Sequence, residues 1–306
     1  MRVAAVDIGT NTTRLLIAKV DRSDLLHKER LEWLDRQTTV TRLGQGVDET
    51  RMLSEEAIDR TVAALSEFGA AIRARHVEAV RAVATSATRD ASNRHEFLAR
   101  AQLALGVGLE VIPGDEEAAL AFRGAVSGLD VTRPVLVIDL GGGSTEFVTG
   151  SDRVDSATSV DIGSVRITER FLRTQPAPQD AVEAASRHAA QAFASVALRP
   201  APPTIVGVAG TFTSLAAINL ELEAYDPAAV HGSFLTEGQL GRLVGDLRVL
   251  DLDELQAIPS LDPARAPVIL GGAIVALAAV RSTGADGLVV SEADMLDGVA
   301  LSAVPR

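Results

Sequence analysis

The chain contains no cysteine among its 306 residues. That excludes a disulfide framework, a thiolate metal site and a cysteine nucleophile. Aromatic side chains are scarce: one tryptophan (Trp33), one tyrosine (Tyr225) and eight phenylalanines. Lysine is nearly absent, with Lys19 and Lys28 set against 27 arginines. Guanidinium forks suit phosphate, although a GC-rich genome produces the same bias. Positive charge is in deficit overall, with 29 basic against 41 acidic residues, a net charge of −12 and a pI near 4.9. Such a balance argues against a general nucleic-acid or membrane-surface binder, while a local cluster can still hold an anion. Long apolar runs are missing too. Ala266 to Val280 is 15 residues between Arg265 and Arg281; it contains Pro267 and Gly271-Gly272 and reads as a buried helix. The opening Met1-Arg2-Val3-Ala4-Ala5-Val6-Asp7 meets an acid after four apolar residues, unlike a signal peptide, so a soluble cytoplasmic protein is expected.

What is present is the composition of a folded protein, with 47% apolar and 23% charged residues, and a length that suggests two domains. Strand and helix signals alternate. Residues 2–7 and 14–20 read as a hairpin, and 25–42 as further extended chain. Ser54 caps a predicted helix through about residue 75, and Val77 to Val83 reads as a strand. Asn93 opens a helix, Leu109 to Ile112 is a short strand, and a helix starts near Gly114-Asp115. Val135 to Asp139 and Glu146 to Thr149 are strands around a glycine turn. Residues 178–198 read as helix, Ile205 to Val208 as a strand leading into Ala209-Gly210-Thr211 and a helix. Thr236 with Gln239 forms a capping box. Leu288 to Val290 is a late strand, and Met295 to Ala303 a closing helix. This alternation predicts an α/β fold with helices covering a mixed sheet.

One internal similarity organises the chain. Val3-Ala-Ala-Val-Asp-Ile-Gly-Thr-Asn-Thr returns as Val135-Leu-Val-Ile-Asp-Leu-Gly-Gly-Gly-Ser, with Asp7 and Asp139 132 residues apart. Two unrelated hairpins with turn glycines would look similar, but the shared aspartate at the strand end favours duplication. The expected fold class is therefore a duplicated actin-like (ribonuclease H-like) α/β fold of two domains with an interdomain cleft. The first domain is expected over 1–123, completed by the closing helix at about 295–306, and the second over 124–294.

The Asp-x-Gly turns suit phosphate. Small residues let successive backbone N–H groups form an anion-binding nest. Gly9, Thr10, Asn11 and Thr12 form the first such turn; Gly141, Gly142, Gly143, Ser144 and Thr145 form the second. Gly210 and Thr211, at another strand-to-helix junction, put amides at a helix N-terminus. Asp7 and Asp139, at the rims of the two turns, can hold Mg²⁺, which prefers one or two carboxylates plus phosphate and water. Arg14, Arg89 and Arg265 can each pair with a polyanion, or can be surface or domain-pairing arginines. Glu116 and Glu117, at a predicted helix start, can be simple partners of the helix dipole.

Seven stretches taken together carry a resemblance. They are Val6-Asp-Ile-Gly-Thr-Asn-Thr-Thr-Arg14, Arg42-Leu-Gly44, Ala84-Thr-Ser-Ala-Thr-Arg-Asp90, Ile112-Pro-Gly-Asp-Glu-Glu-Ala118, Ile138-Asp-Leu-Gly-Gly-Gly-Ser-Thr-Glu146, Gly207-Val-Ala-Gly-Thr211 and Val290-Ser-Glu-Ala-Asp-Met-Leu-Asp-Gly298. In this order they resemble the Ppx/GppA family of exopolyphosphatases and guanosine pentaphosphate phosphohydrolases, in its short actinobacterial form. No counterpart of the longer members' C-terminal metal-binding domain is expected, and the five histidines are scattered. The resemblance implies Mg²⁺-dependent removal of the terminal phosphoryl group of inorganic polyphosphate, with Glu117 as the catalytic base that orients water. It leaves guanosine pentaphosphate as an alternative substrate and a catalytically silent polyphosphate- or nucleotide-binding regulator as an alternative of another class. A sugar kinase is more distant. The scarcity of aromatic rings for stacking a guanine tilts the reading toward polyphosphate. No nucleic acid or membrane partner is expected, and a homodimer is compatible with the reading. Thr10 and Thr12 stand where serine is common in the family, and Pro113 replaces a small polar residue, removing a backbone donor ahead of the glutamates.

Overall fold

The structure is a computed structural model and describes residues 1–10, 12–21, 30–151, 153–194, 196 and 203–304. The apolar runs at the start fold as β1 (Arg2–Ile8) and β2 (Thr12–Asp21), an antiparallel pair that β3 (Arg30–Val40) extends. After the single turn α1 (Val47–Thr50) comes α2 (Glu55–Ala74), where the Ser54 side chain accepts the Ala57 N–H as cap. The strand β4 (Ala79–Ala84) lies parallel to β1. Next are α3 (Ser86–Asp90), α4 (Arg94–Leu105), β5 (Glu110–Val111), parallel to β4, and α5 (Gly114–Ala125).

The second half repeats the plan. Three antiparallel strands, β6 (Val135–Leu140), β7 (Thr145–Gly150) and β8 (Val154–Val160), are followed by α6 (Ser164–Phe171) and α7 (Gln179–Phe193). Strand β9 (Thr204–Val208) runs parallel to β6 and leads directly into α8 (Ala209–Asn219). Then come α9 (Pro227–Val230), β10 (Phe234–Thr236), α10 (Glu237–Leu247), α11 (Leu252–Gln256), α12 (Ala266–Thr283) and β11 (Gly287–Val290), parallel to β9. The chain closes with α13 (Met295–Ser302).

The two sheets have the orders β3-β2-β1-β4-β5 and β8-β7-β6-β9-β11-β10. Their first five positions match in order and direction: an antiparallel meander, then two strands parallel to its first member. That is the ribonuclease H-like plan, doubled as in actin-like proteins, within a mixed α/β chain. Each expected strand has a counterpart among the described residues, while β8 and β10 are not expected from the sequence. Residues 25–29 of the expected extended chain lie outside the described residues, and the helix expected over 178–198 stops at Phe193.

The chain divides into one unit of Met1–Gly128 with Asp294–Arg306 and a second of Leu129–Ala293. The division comes after residue 123 because α5 continues to Ala125 and packs on α13. Contact there is backbone to backbone: a Cβ built on Gly124 would lie 1.7 Å from the Asp294 carbonyl oxygen, and one on Gly298 would lie 1.9 Å from that of Leu120. In the first unit β1 is buried on both faces, as a central strand must be. Ala4, Val6 and Ile8 join the core beneath α2 and α4, and Val3 and Ala5 the core formed with Leu296, Val299 and Ala300 of α13. In the second unit the apolar α12 is buried at the centre of the core. It is the one helix among the described residues long and apolar enough to cross a membrane.

Candidate functional site

The first unit brings carboxylates together. Asp7 is next to last in β1, and the antiparallel register sets it opposite Arg14 of β2. Arg14 donates from Nε and Nη2 to Asp7 Oδ2, at 3.0 and 2.6 Å, and from Nη1 to Asp294 Oδ2 at 2.7 Å. With two carboxylates on its guanidinium, Arg14 orients Asp7. Asp7 is 5% exposed, and its second oxygen, Oδ1, has no hydrogen-bond partner among the described residues. Burial pushes the Asp7 carboxyl above its ordinary value, against the pull of Arg14. A buried oxygen left unpaired costs about 1–3 kcal/mol, so the position calls for a ligand that supplies positive charge or a proton.

Behind this pair lies a network that the sequence reading missed. Arg36 of β3 reaches Asp294 at 2.9 Å and Asp297 at 3.0 Å. Asp297 is fully buried and also accepts the Trp33 indole N–H at 2.7 Å, while the Arg36 guanidinium lies 4.7 Å from the Trp33 ring centre. Asp294 caps α13 through the Leu296 N–H, which fixes its place. Trp33 therefore has a structural partner of its own.

Glu117 sits in the first turn of α5, where its N–H bonds the Pro113 carbonyl at 3.0 Å. Arg89, on α3, donates to the Ile112 carbonyl at 2.9 Å and meets Glu117 Oε2 at 3.5 Å. Arg89 thus acts as a partner of the glutamate. Burial, with a smaller contribution from the Asp7 charge, raises the Glu117 carboxyl above an ordinary glutamate, against Arg89. The adjacent Glu116 behaves differently: Arg81 of β4 holds it at 2.6 Å, and holds Glu110 at 2.8 Å. Two neighbouring glutamates are thereby separated into Glu116, held by Arg81, and Glu117, half-buried beside Arg89 with a raised affinity for protons.

The first Asp-x-Gly turn closes with Gly9 donating to the Thr12 carbonyl at 2.9 Å. The Thr10 hydroxyl pairs with that of Ser86 at 2.9 Å. The Gly44 N–H donates to the Thr10 carbonyl at 2.8 Å, so the Arg42-Leu43-Gly44 segment packs on this turn. Asn11 lies outside the described residues.

In the second unit Asp139 is half-buried near the end of β6, in register with Glu146. The turn Gly141 to Thr145 follows, closed by the Gly141 N–H on the Ser144 carbonyl at 3.0 Å. Its outward carbonyls are taken by the start of α6. Ser164 N–H donates to Gly141, and Val165 and Arg166 N–H donate to Gly142, at 2.9–3.1 Å. Gly163 makes this docking possible, because a Cβ there would lie 2.5 Å from the Gly142 carbonyl carbon. Thr145 is buried, its hydroxyl on the Ile162 carbonyl at 2.7 Å. The α6 contact carries no apolar run and was not read from the sequence; the spacing Asp161-Ile-Gly-Ser164, a third Asp-x-Gly, was the available signal.

Gly210 and Thr211 stand in the first turn of α8, which Val208 leaves without a side-chain cap. Ala209 at its start has φ 72°, the left-handed region that a non-glycine residue occupies at a cost of roughly 1–2 kcal/mol. The Arg265 guanidinium lies over Gly210, so closely that a Cβ there would be 1.3 Å from Nη1. Gly141, Gly142, Gly210, Thr211 and Arg265 share a cavity of about 230 Å³ with Ser164 and Ile269. Glycine backbone, helix N–H groups and a guanidinium in one cavity fit a phosphoryl group. Among the described residues no cluster of three or more His, Asp or Glu forms a metal cage.

Comparison with known proteins adds a second line of evidence. The model of the Ppx/GppA phosphatase family matches residues 17–306. Exopolyphosphatase 2 of Mycobacterium tuberculosis is 44% identical, over 98% of either chain. Among solved structures, the Ppx/GppA phosphatase of Aquifex aeolicus is 34% identical, with a TM-score of 0.90 over 100% of both chains. An exopolyphosphatase from Cytophaga hutchinsonii is 26% identical, with a TM-score of 0.75 over 99% of this chain and 97% of that one.

Proposed function

Because the chain belongs to the Ppx/GppA phosphatase family, we propose that it is a divalent-metal-dependent exopolyphosphatase. It takes water and the terminal phosphoryl group of inorganic polyphosphate and releases phosphate. The carrying observation is Glu117, a half-buried glutamate whose proton affinity is raised, separated from Glu116 by their different arginines.

Phosphoryl transfer asks for positioning and charge neutralisation more than covalent chemistry. Glu117 accepts a proton from the attacking water as the water oxygen bonds the terminal phosphorus; the bridging P–O bond breaks, and the chain one unit shorter leaves on its bridging oxygen. Arg89 keeps that carboxylate oriented through its bond to the Ile112 carbonyl. The glycine turn at 141–145, the first N–H groups of α8 and Arg265 take phosphoryl oxygens. Asp7 fits a divalent cation: its orphaned Oδ1 is a hard, buried, anionic donor, and Arg14 fixes the other oxygen. In the first unit Asp7, and at the equivalent strand end of the second unit Asp139, are each candidate ligands for Mg²⁺, which when bound would polarise a phosphoryl group and offset its charge. The reading includes the cytoplasmic location expected from the sequence.

Guanosine pentaphosphate is a second substrate for the same chemistry. Tyr225, 41% exposed and within electrostatic reach of Arg265, is the one described aromatic that favours it. The test is phosphate release from polyphosphate and from guanosine pentaphosphate at matched concentration with Mg²⁺. Release from polyphosphate alone supports the proposal, and release from the nucleotide alone replaces it. Tight binding without release at any metal replaces it with a silent binding protein.

A further inference from the structure

We infer that Arg166 is a specificity-determining residue that binds phosphoryl units of polyphosphate behind the reacting end, so that it favours long chains over short ones. The inference rests on the proposed exopolyphosphatase activity and concerns a residue outside the cavity assigned to the terminal group.

Three observations carry it. Arg166 is exposed on the first turn of α6, yet its guanidinium is held in place: Nε donates to the Gly143 carbonyl at 3.0 Å. That bond uses one N–H and leaves the four on Nη1 and Nη2 for other acceptors. The backbone beneath it is fixed as well, because the Arg166 and Val165 N–H groups both bond the Gly142 carbonyl. An exposed arginine ordinarily loses side-chain entropy when it grips an anion; this one is already oriented.

The second observation is charge. Arg14, Arg36, Arg81, Arg100 and Arg281 each pair with a carboxylate. Arg166 forms no ion pair with a carboxylate among the described residues, and its one side-chain bond there goes to a carbonyl. In a chain of net charge −12, an oriented and un-neutralised guanidinium beside a phosphate-type turn is a local exception to the prevailing sign.

The third observation is position. The cavity that holds Arg265 is lined by Gly141 and Gly142 but by neither Gly143 nor Arg166. Gly143 is the exposed tip of the turn, and a Cβ on it would lie 3.6 Å from Arg166 Nη2. The guanidinium therefore flanks the rim of the turn, outside the cavity. Arg166 does not line the cavity that would seat a single phosphoryl group, whereas a chain running out over the tip of the turn would meet its free N–H groups. Arg265 in the cavity and Arg166 at the tip of the turn give a polyanion two cationic contacts in succession.

The experiment measures kcat and KM of the wild type, Arg166→Gln and Arg166→Lys on tripolyphosphate and on a long-chain polyphosphate, at fixed free Mg²⁺. Arg166→Gln should raise KM for the long chain by about tenfold, the scale of one lost charge-assisted contact, with kcat and the tripolyphosphate KM within about twofold of wild type. Arg166→Lys keeps the charge and should recover most of the long-chain KM. Melting temperatures close to wild type confirm that both variants are folded. An unchanged long-chain KM in Arg166→Gln overturns the inference. So does an equal loss of kcat on both substrates, which would make Arg166 only a strut for the glycine turn. A wild type that hydrolyses neither polyphosphate overturns the functional reading itself, and this inference with it.

Discussion

Gly210→Ala tests whether Arg265 grips the substrate from its observed place. The added methyl would sit 1.3 Å from Arg265 Nη1, 2.0 Å from Cζ and 2.4 Å from Nη2. An ordinary carbon contact needs about 3.5 Å, so the guanidinium must withdraw by roughly 2 Å. What has to move is the far end of a flexible side chain, at a rotamer cost of about 0.5–1.5 kcal/mol. Replacing a helical glycine returns roughly 0.5–1 kcal/mol through the unfolded state and helix propensity. Stability should therefore be nearly unchanged. Function should not be, because a charge-assisted bond to a phosphoryl oxygen is worth about 1.5–3 kcal/mol, or roughly 10- to 150-fold in kcat/KM. The assay is phosphate release by Gly210→Ala, Arg265→Ala and the double variant, with melting curves alongside. With Arg265 gone the new methyl no longer displaces it, so the double variant should match Arg265→Ala within about twofold. Multiplicative losses, or a Gly210→Ala enzyme with wild-type kcat/KM, would refute the reasoning.

Four further outcomes are expected. Glu117→Gln should lower kcat by roughly 10²–10⁴ with KM largely kept, measured by steady-state phosphate release; wild-type turnover would remove Glu117 from the base role. The acid limb of the kcat/KM profile should lie above the pH at which ordinary glutamate titrates, since burial raises Glu117 and only its ionised form accepts the proton. Arg89 favours that ionised form, so Arg89→Gln should move the limb to higher pH, and a limb that stays in place would show that Glu117 is not the group being titrated. Asp7→Asn should raise the Mg²⁺ concentration needed for half-maximal activity, and an unchanged Mg²⁺ titration would leave Asp7 only a partner for Arg14. Gly298→Ala drives a methyl into the Leu120 carbonyl, so it should cost ~2–3 kcal/mol and lower Tm by several degrees in thermal unfolding.

Where the sequence spoke clearly, it spoke through period and punctuation. The apolar runs at 3–6 and 135–138 gave the central strands because strands buried on both faces need no alternation. Ser54 and the Thr236–Gln239 box marked helix starts through their own hydrogen-bonding chemistry. Strand β8 carried no such signal, since Val154–Val160 is mostly exposed and is held by backbone pairing to β7. The short α6 escaped for a related reason: what fixes its start is glycine backbone contact, which leaves no hydrophobic pattern. Within the site, residue types were readable and their division of labour was not. Nothing in Glu116-Glu117 tells which one Arg81 will hold, because Arg81 and Arg89 belong to other elements. Arg14 could be placed beside Asp7 by the hairpin, but Asp294 lies 280 residues further along the chain.

The same distance means that the first unit is finished last. Arg14 and Arg36 are synthesised before residues 129–293, and two of the carboxylates that neutralise them, Asp294 and Asp297, emerge only after that whole stretch. At ordinary elongation rates that is a wait of roughly 8–33 s, during which a nascent β1–β2–β3 sheet carries buried cations short of anions and an apolar face without α13. The second unit, a continuous stretch of chain, has no such wait. Its folding on or off the ribosome should therefore precede that of the unit in which the chain begins. A lesion at Asp294, the cap of α13, would be felt at Asp7 through Arg14.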